Sequence, residues 1–368
     1  MVGLLIGMLA VILIMQVFAN SEGSKRTTTG GDDAQINGSI ALYGLERDIR
    51  EAGYGVNSFN LLGCSLTYTT SGDAKSVTLG ALAPININPP TDLIPAGDAN
   101  TDTLLIVFGN SNGPPEGDLI NGAPSTGSYP VTTPGSFAVN DYVVAQPAAR
   151  PSPCALAIDR VTAKSASALS VSPGDATGLT LGSIVFNLGQ APTVRAYAVR
   201  SGSLTMCDYR VNNCGDVAHT SNSDIWVPVA TNVVSLRAQY GRDITAGAQM
   251  ASIVGTFDQT TPGTAADKSG LAVQCGWART LAVRLALVAR NPQYDKNDSP
   301  FATTSAPTWA GTAVSTASPT NPTALAIDLG SNSEWKHYSD KTLTTTVPIR
   351  NVGWHGSQAT AQGGSGAC

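Results

Sequence analysis

The chain opens with a run of apolar residues. Val2 to Phe18 read VGLLIGMLAVILIMQVF, with no charged residue and with Gln16 as the one strongly polar position. This is close to the roughly 20 residues that a helix needs to cross a bilayer. We expect residues 1–19 to form an apolar helix that lies in a membrane or a helical bundle, with a signal peptide cleaved after Ala19 as the alternative. The expected packing surface comprises Val2, Leu4, Leu5, Ile6, Leu9, Val11, Ile12, Leu13, Ile14, Val17 and Phe18.

A second, amphipathic pattern follows the apolar run. Ile36, Ile40, Leu45, Ile49 and Ala52 recur at spacings of three to five residues over a polar background. Such spacing predicts a helix over residues 32–55 that packs these side chains on a globular domain.

Between the two patterns lies a segment of poor helix formers. Gly23, Thr27 to Thr29 and the pair Gly30-Gly31 all fall there. Because glycine costs about 1 kcal/mol relative to alanine inside a helix, the sequence predicts a weak or melted joint.

After Gly55 the pattern changes to short strand-like runs separated by turn-rich segments. In the run Arg279–Arg290, apolar Leu281, Val283, Leu285 and Leu287 alternate with other residues, which predicts a half-buried strand. The other expected strands cover 76–79, 103–108, 141–145, 154–161, 183–187, 195–200, 233–240 and 341–349.

One later segment departs from the strand pattern. Residues 300–322 are rich in Thr, Ser, Ala and Pro around Trp309, which predicts a surface excursion with too little apolar content to form a core. The whole pattern predicts an α+β protein, in which a long N-terminal helix (residues 1–55) precedes an antiparallel β-rich globular head (residues 56–368).

Composition and cysteine content bear on the partners of the chain and on its cellular compartment. The chain is 42% hydrophobic and 13% charged, with a net charge of -5, and no segment combines clustered Lys and Arg with aromatics, so a nucleic-acid partner is not expected. Six cysteines form an even set, which is typical of an oxidising compartment. The short spacing of Cys207 and Cys214 favours a disulfide that closes a hairpin, and Cys64–Cys154 and Cys275–Cys368 are then guesses among the remaining pairings.

Four stretches carry a family resemblance. They are ALYGLERDIREAGYG (41–55), NVVSLRAQYGRD (232–243), RTLAVRLALVARN (279–291) and HYSDKTLTTTVPIRN (337–351). In this order they resemble PilW-type minor pilins of the type IV pilus system. The first is the most specific, because Arg47, Asp48 and Arg50 before Ala52-Gly53-Tyr54-Gly55 resemble the helix-end signature of that family, and Gly53 and Gly55 can stop a helix.

The resemblance implies a structural subunit with a pilin helix and a globular head. It further implies that prepilin peptidase removes a short basic leader and that the fifth mature residue is a glutamate. This sequence departs from that pattern, since no such residues precede the apolar run and Glu22 lies on its far side. The expectation that follows is a start codon assigned too far downstream or a truncated chain.

Three segments of the sequence partly match a hydrolase, a zinc or a calcium motif. Gly109 to Gly113 read GNSNG, which matches the nucleophile elbow of serine hydrolases at Ser111, but Pro114-Pro115 follow where that elbow needs a helix. Cys207, Cys214 and His219 lack the spacing of a structural zinc site, and Asp295 to Asp298 lack the pattern of a calcium loop. No catalytic, cofactor or metal residue is therefore expected.

For Arg47, Asp48 and Arg50 two interpretations stay open, a solvated charge cluster or residues that pack the helix end on the head.

The expected function is assembly, without enzymatic activity. As a minor pilin, the chain would join other minor pilins and the major pilin in an initiation or tip complex, with a tip adhesin as a further partner. It would reside in the inner membrane with its head in the periplasm before assembly, and on the pilus at the cell surface afterwards. The alternatives are a J-like pseudopilin of type II secretion, a head that binds a ligand as an adhesin, and a membrane-anchored periplasmic hydrolase that uses Ser111.

Overall fold

The computed structural model describes residues 2–55, 58–69, 76–245, 250–263, 272–294, 305–310, 324–330 and 333–351, apart from some side chains within these ranges. The helices are α1 (Val2–Glu51) and α2 (Val273–Ala278). The strands are β1 (Ser65–Thr69), β2 (Ser76–Leu79), β3 (Ile85–Ile87), β4 (Leu104–Phe108), β5 (Asp118–Leu119), β6 (Ser128–Pro130), β7 (Tyr142–Gln146), β8 (Ala155–Lys164), β9 (Ala168–Ser172), β10 (Ile184–Gly189), β11 (Thr193–Arg200), β12 (Ser203–Asp208), β13 (Val227–Thr231), β14 (Val233–Arg242), β15 (Thr256–Asp258), β16 (Thr280–Arg290), β17 (Thr308–Ala310), β18 (Ala324–Ala326) and β19 (Asp340–Pro348).

The fold is α+β, with an N-terminal helix and β-rich, mainly antiparallel sheets. An eight-stranded sheet has the path β2-β1-β8-β7-β10-β5, with β9 and β6 branching from β8. A five-stranded sheet has the order β13-β12-β11-β4-β3, and a four-stranded sheet the order β15-β14-β16-β19. The pairing of β1 with β8 is parallel, whereas the other pairings are antiparallel. The main core lies between α1, the five-stranded sheet and the four-stranded sheet.

Helix α1 contradicts the expected joint. The helix runs without interruption from Val2 to Glu51, through Gly23, Thr27 to Thr29 and Gly30-Gly31. Gly30 lies against the side chain of Asn291, so close that an added Cβ would overlap it. Gly30 thus takes part in tertiary contact, and packing outweighs the low helix propensity of this segment.

The buried face of α1 also differs from the predicted one. Ile36 and Ile40 are 57% and 62% exposed, whereas Leu45, Ile49 and Ala52 are buried as expected. In a helix, residues nine positions apart lie on opposite sides, so Ile36 cannot share a face with Leu45. The contact face is instead continued towards the N-terminus by small residues, Ala34, Gly38 and Ala41.

Strand β16 is buried on both sides, so the expectation of a half-buried strand was wrong. Val283, Leu285 and Leu287 face the core that contains α1, whereas Ala286 and Val288 pack against a small cluster with Trp309 on the opposite side. Trp309 lies in β17, is 5% exposed and contributes to this cluster, contrary to its expected place in a coreless excursion. Residues 300–304 and 311–322 of that excursion lie outside the described part.

Candidate assembly surface

The first half of α1 projects apolar side chains that the head does not cover. Each residue from Ile6 to Phe18 is exposed, on every side of the helix. The exposed fractions of the large side chains range from 50% for Ile12 to 73% for Phe18. A helix that is apolar all round is normally buried in a bundle or a membrane. The side chains of Val2, Leu4 and Leu5, which belong to the predicted surface, lie outside the description.

The second half of α1 is docked on the four-stranded sheet. Ala34, Leu45 and Ile49 are 2%, 1% and 0% exposed and lie in one cluster with residues of β14, β16 and β19. Gly38 permits this approach, because an added Cβ would lie 2.5 Å from Leu343 Cδ1 and 3.0 Å from Ala289 Cβ. The docked half therefore fixes the direction in which the apolar half leaves the head.

An ion pair with a buried carboxylate ties the helix to the five-stranded sheet. Asp48 is 4% exposed, and its Oδ2 accepts hydrogen bonds from Arg195 Nη1 at 2.8 Å and from Tyr197 Oη at 2.6 Å. Burial lowers the pKa of Arg195, but the hydrogen bond and charge of Asp48 outweigh it, so that pKa is raised. Burial also raises the pKa of Tyr197, and the charge of Asp48 adds to that rise. The arginine therefore stays charged and the tyrosine protonated.

The other two charged residues of the helix-end signature remain at the surface. Arg47 pairs with Glu51 at 3.6 Å and Arg50 pairs with Glu46 at 3.0 Å, with both arginine side chains more than half exposed. Such i, i+4 pairs contribute little to stability. The sequence left two interpretations open for these three residues. In the structure Asp48 packs the helix end on the head, whereas Arg47 and Arg50 are solvated.

The end of α1 is joined to the head by the backbone and by an amide cap. Gly53 and Gly55 have positive φ values of 80° and 86°, and Gly53 N donates to Val107 O at 2.8 Å. Tyr54 Oη donates to Ser111 O at 2.9 Å. Asn351 Nδ2 donates to the carbonyls of Arg50, Glu51 and Ala52 at 3.1–3.3 Å, at the helix end, where carbonyls have no i+4 partner within the helix.

The four stretches that carried the resemblance converge at this docking site. Residues 41–55 form the docked helix and its end, residues 232–243 form β14, residues 279–291 form β16, and residues 337–351 form β19 and the cap. Strands β14, β16 and β19 are neighbours in one sheet, and α1 packs on β16 and β19. The hydrophobic pattern of the sequence does not identify Arg195, Tyr197 or Gly38 as site residues. The spacing of Gly30, Ala34 and Gly38 at every fourth position is nevertheless a readable signal of a close helix contact.

Disulfides cross-link the head. Cys64 pairs with Cys154 and Cys207 with Cys214, both as the sequence analysis had them. Cys275 is also disulfide-bonded, and Cys368 lies outside the described residues. With Cys207 and Cys214 joined, neither thiolate is available to a metal ion, and no metal-binding cluster occurs in the described ranges. Asp295 to Asp298, the weighed calcium loop, lie outside the description.

Ser111 lacks the surroundings of a hydrolase nucleophile. It lies in the loop after β4, and no helix follows it before β5. Its Oγ accepts a hydrogen bond from Gly113 N at 2.8 Å. The described residues that line the cavity at Ser111 include no histidine, and His219 Nδ1 contacts Asn213 O instead. His355 lies outside the described residues.

Comparison with known proteins agrees with the resemblance. The sequence model of the family described as Type IV Pilus-assembly protein W, PilW, matches residues 196–351. That range contains β14, β16, β19 and the Asn351 cap, but not the helix. The match confirms the resemblance to PilW, and it supports a structural role in the type IV pilus system, with an association with the cell envelope or the pilus.

Two further comparisons add little. The type IV-like pilin TTHA1219 from Thermus thermophilus is similar with 13% identity over 58% of this chain and 85% of that chain, at a TM-score of 0.18, which supports no structural argument. No curated protein matches the chain.

Where side chains are described, none of the helices is long and apolar enough to cross a membrane.

Proposed function

We propose that this chain is a minor pilin that takes part in type IV pilus biogenesis. Its exposed apolar helix half packs among the helices of other minor pilins and the major pilin, and its head caps the initiation or tip complex. Before assembly the apolar half is held in the inner membrane, with the head in the periplasm, and after assembly the subunit lies on the pilus at the cell surface. A tip adhesin is a further partner.

The observation that carries this proposal is the contrast along α1. Ile6 to Phe18 are uncharged and, apart from Gln16, expose apolar side chains on every side of the helix. Burial of apolar surface contributes roughly 25 cal/mol per Å². The same helix is held on the head by the Asp48–Arg195 ion pair and the Asn351 cap. Burial of the first half against other helices would therefore position the whole head.

A complementation experiment tests the proposal. We expect deletion of the gene to abolish or strongly reduce surface pili, counted by electron microscopy and by immunoblots of sheared pili. The intact chain should restore them, whereas Ile12→Asp should not, because a buried carboxylate in an apolar helix interface is strongly unfavourable. Ile40→Asp is the matched control, since Ile40 is 62% exposed, against 50% for Ile12, but lies on the docked half.

The result also separates the alternatives. Normal numbers of surface pili in the deletion strain would overturn the proposal. If that strain instead lost secretion of folded enzymes into the medium, the chain would be a pseudopilin of type II secretion. Labelling of the chain by a fluorophosphonate probe, and its loss in Ser111→Ala, would point to the hydrolase.

A further inference from the structure

A polar cavity opens in the head beyond the end of α1. It has a volume of about 600 Å³ and lies between the loop after β4, the loop before β7 and the end of β10. Its walls include the GNSNG segment, Gly109 excepted, that the sequence analysis weighed as a hydrolase elbow. The cavity is large enough for a small ligand, since ligand sites typically span about 300–1,000 Å³.

The cavity walls contain hydrogen-bond donors and acceptors that no other described residue uses. The hydroxyl proton of Ser111 has no acceptor, because its Oγ only accepts from Gly113 N. Asn110 uses its Oδ1 for Ala191 N, which leaves its Nδ2 as a donor. Asp141 accepts from Ala138 N and Asn187 Nδ2 through Oδ2 alone, which leaves Oδ1 as an acceptor.

These groups are held in place by the structure around them. Ser111 and Asp141 are 7% and 5% exposed, so their side chains have little freedom. Asn187 is locked by bonds to Asp141 and to Ser136 O. The backbone of Ser111 is anchored by Tyr54, which belongs to the helix-end signature. A ligand would therefore meet a preformed arrangement and lose little free energy in ordering it.

The charge and polarity of the walls define the ligand class. Lys164 and Asp141 contribute one charge of each sign, and Lys164 Nζ is bound to Phe137 O at 2.7 Å. A phosphate would be bound by several cations or by a ring of amides, and a metal ion by several carboxylates. Phe137, the one aromatic residue of the lining, is 2% exposed and lies beneath the surface, so the walls suit neither a lipid nor a flat aromatic ring. Amides, hydroxyls and a single carboxylate suit a ligand that is rich in hydroxyl groups.

We infer that this cavity binds a neutral saccharide of one or two sugar units. Ser111 and Asn110 donate hydrogen bonds to hydroxyl or ring oxygens of the sugar, and Asp141 accepts from a sugar hydroxyl. The site lies on the head and is separate from the helix surface, so it does not depend on the proposed role in assembly.

Binding by the full-length chain tests the inference. The chain is held in a detergent without a sugar headgroup, such as dodecylphosphocholine, and saturation-transfer NMR is recorded with glucose, galactose, N-acetylglucosamine, lactose and chitobiose. We expect saturable binding of at least one of them in the millimolar range or tighter. Asn112→Trp should weaken that binding at least tenfold, because Asn112 lines the cavity, is exposed and forms no bond that holds the fold.

Ser223→Trp, at an exposed serine in the loop between β12 and β13, is the control and should bind as the unchanged chain does. Melting curves establish that both variants fold. The inference is overturned if none of the five sugars binds saturably, if Asn112→Trp binds as well as the control, or if inorganic phosphate binds more tightly than any neutral sugar. A strain that carries Asn112→Trp should assemble normal numbers of pili. A pilus count therefore distinguishes loss of sugar binding from loss of the assembly role.

Discussion

The two halves of α1 differ in what surrounds them, although both belong to one helix. Ile6 to Phe18 are exposed on all sides, whereas Ala34 to Ile49 place a stripe of buried residues on the four-stranded sheet. The first half is uncharged and, apart from Gln16, apolar. The second half combines a buried stripe with an outer face that carries exposed Ile36, Ile40 and Tyr43. Stability of the head should therefore depend on the second half alone, and assembly on the first.

Truncation of one leucine in each half should give the largest contrast. Leu45→Ala should lower the free energy of unfolding of the head by about 2–5 kcal/mol, because Leu45 is 1% exposed and its loss leaves a cavity. Leu9→Ala should change it by less than about 0.5 kcal/mol, because Leu9 is 59% exposed. Denaturant unfolding in detergent, followed by tryptophan fluorescence, measures both. Equal effects would show that the apolar half packs on the head.

Removal of the buried Asp48 carboxylate should have the next largest effect on the free energy of unfolding. Asp48→Ala should cost about 3 kcal/mol, because it leaves Arg195 and Tyr197 without their shared acceptor. Glu46→Ala is the control and should cost less than about 1 kcal/mol, because it removes a pair whose arginine is exposed. The same unfolding measurement applies, and a small effect of Asp48→Ala would mean that apolar packing alone holds the helix.

Acidity should act on the sheet that holds the docked half and leave the apolar half unaffected, since Ile6 to Phe18 contain no titratable group. Burial raises the pKa of Asp340 to about 6, although Arg290 at 3.3 Å partly opposes the rise. A carboxyl group whose pKa is raised by folding stabilises the fold when protonated. The free energy of unfolding should therefore fall by about 2–3 kcal/mol between about pH 4 and pH 7.

The control for this pH effect is Asp340→Asn, in which that part of the pH dependence should disappear. Unfolding curves of both proteins at a series of pH values give the difference directly. A difference that stays constant with pH would contradict the assignment to Asp340.

Two glycines of α1 should respond in opposite directions to the same change. Gly38→Ala should destabilise the head by about 1 kcal/mol or more, because the added methyl meets Leu343 and Ala289. Gly44→Ala should stabilise it by up to about 1 kcal/mol, because nothing lies within 4 Å of an added Cβ and alanine favours the helix. Melting temperatures suffice for this pair, and stabilisation by Gly38→Ala would refute the close helix contact.

Much of the architecture was readable because local patterns and burial agreed. Strand β2 covers the predicted residues 76–79, and β4, β7, β8, β10, β11, β14, β16 and β19 each overlap a predicted strand to within a few residues. In these strands an apolar or alternating run is long enough to set the period. Short elements such as β3, β5 and β6 were missed, because two or three residues carry too little pattern to be recognised.

The sequence by itself determined that one helix is apolar at its start, that a β-rich head follows, and that four stretches resemble PilW. The tertiary structure decided which side of the helix is buried. The small residues Ala34 and Gly38 add little to a hydrophobic pattern, yet they lie in close contact with the sheet. It also decided that Asp48 is buried while Arg47 and Arg50 are not, since only the fold brings Arg195 and Tyr197 to that carboxylate. A local pattern does not show which distant residue a side chain contacts, and the docking site consists of contacts between residues distant in the chain.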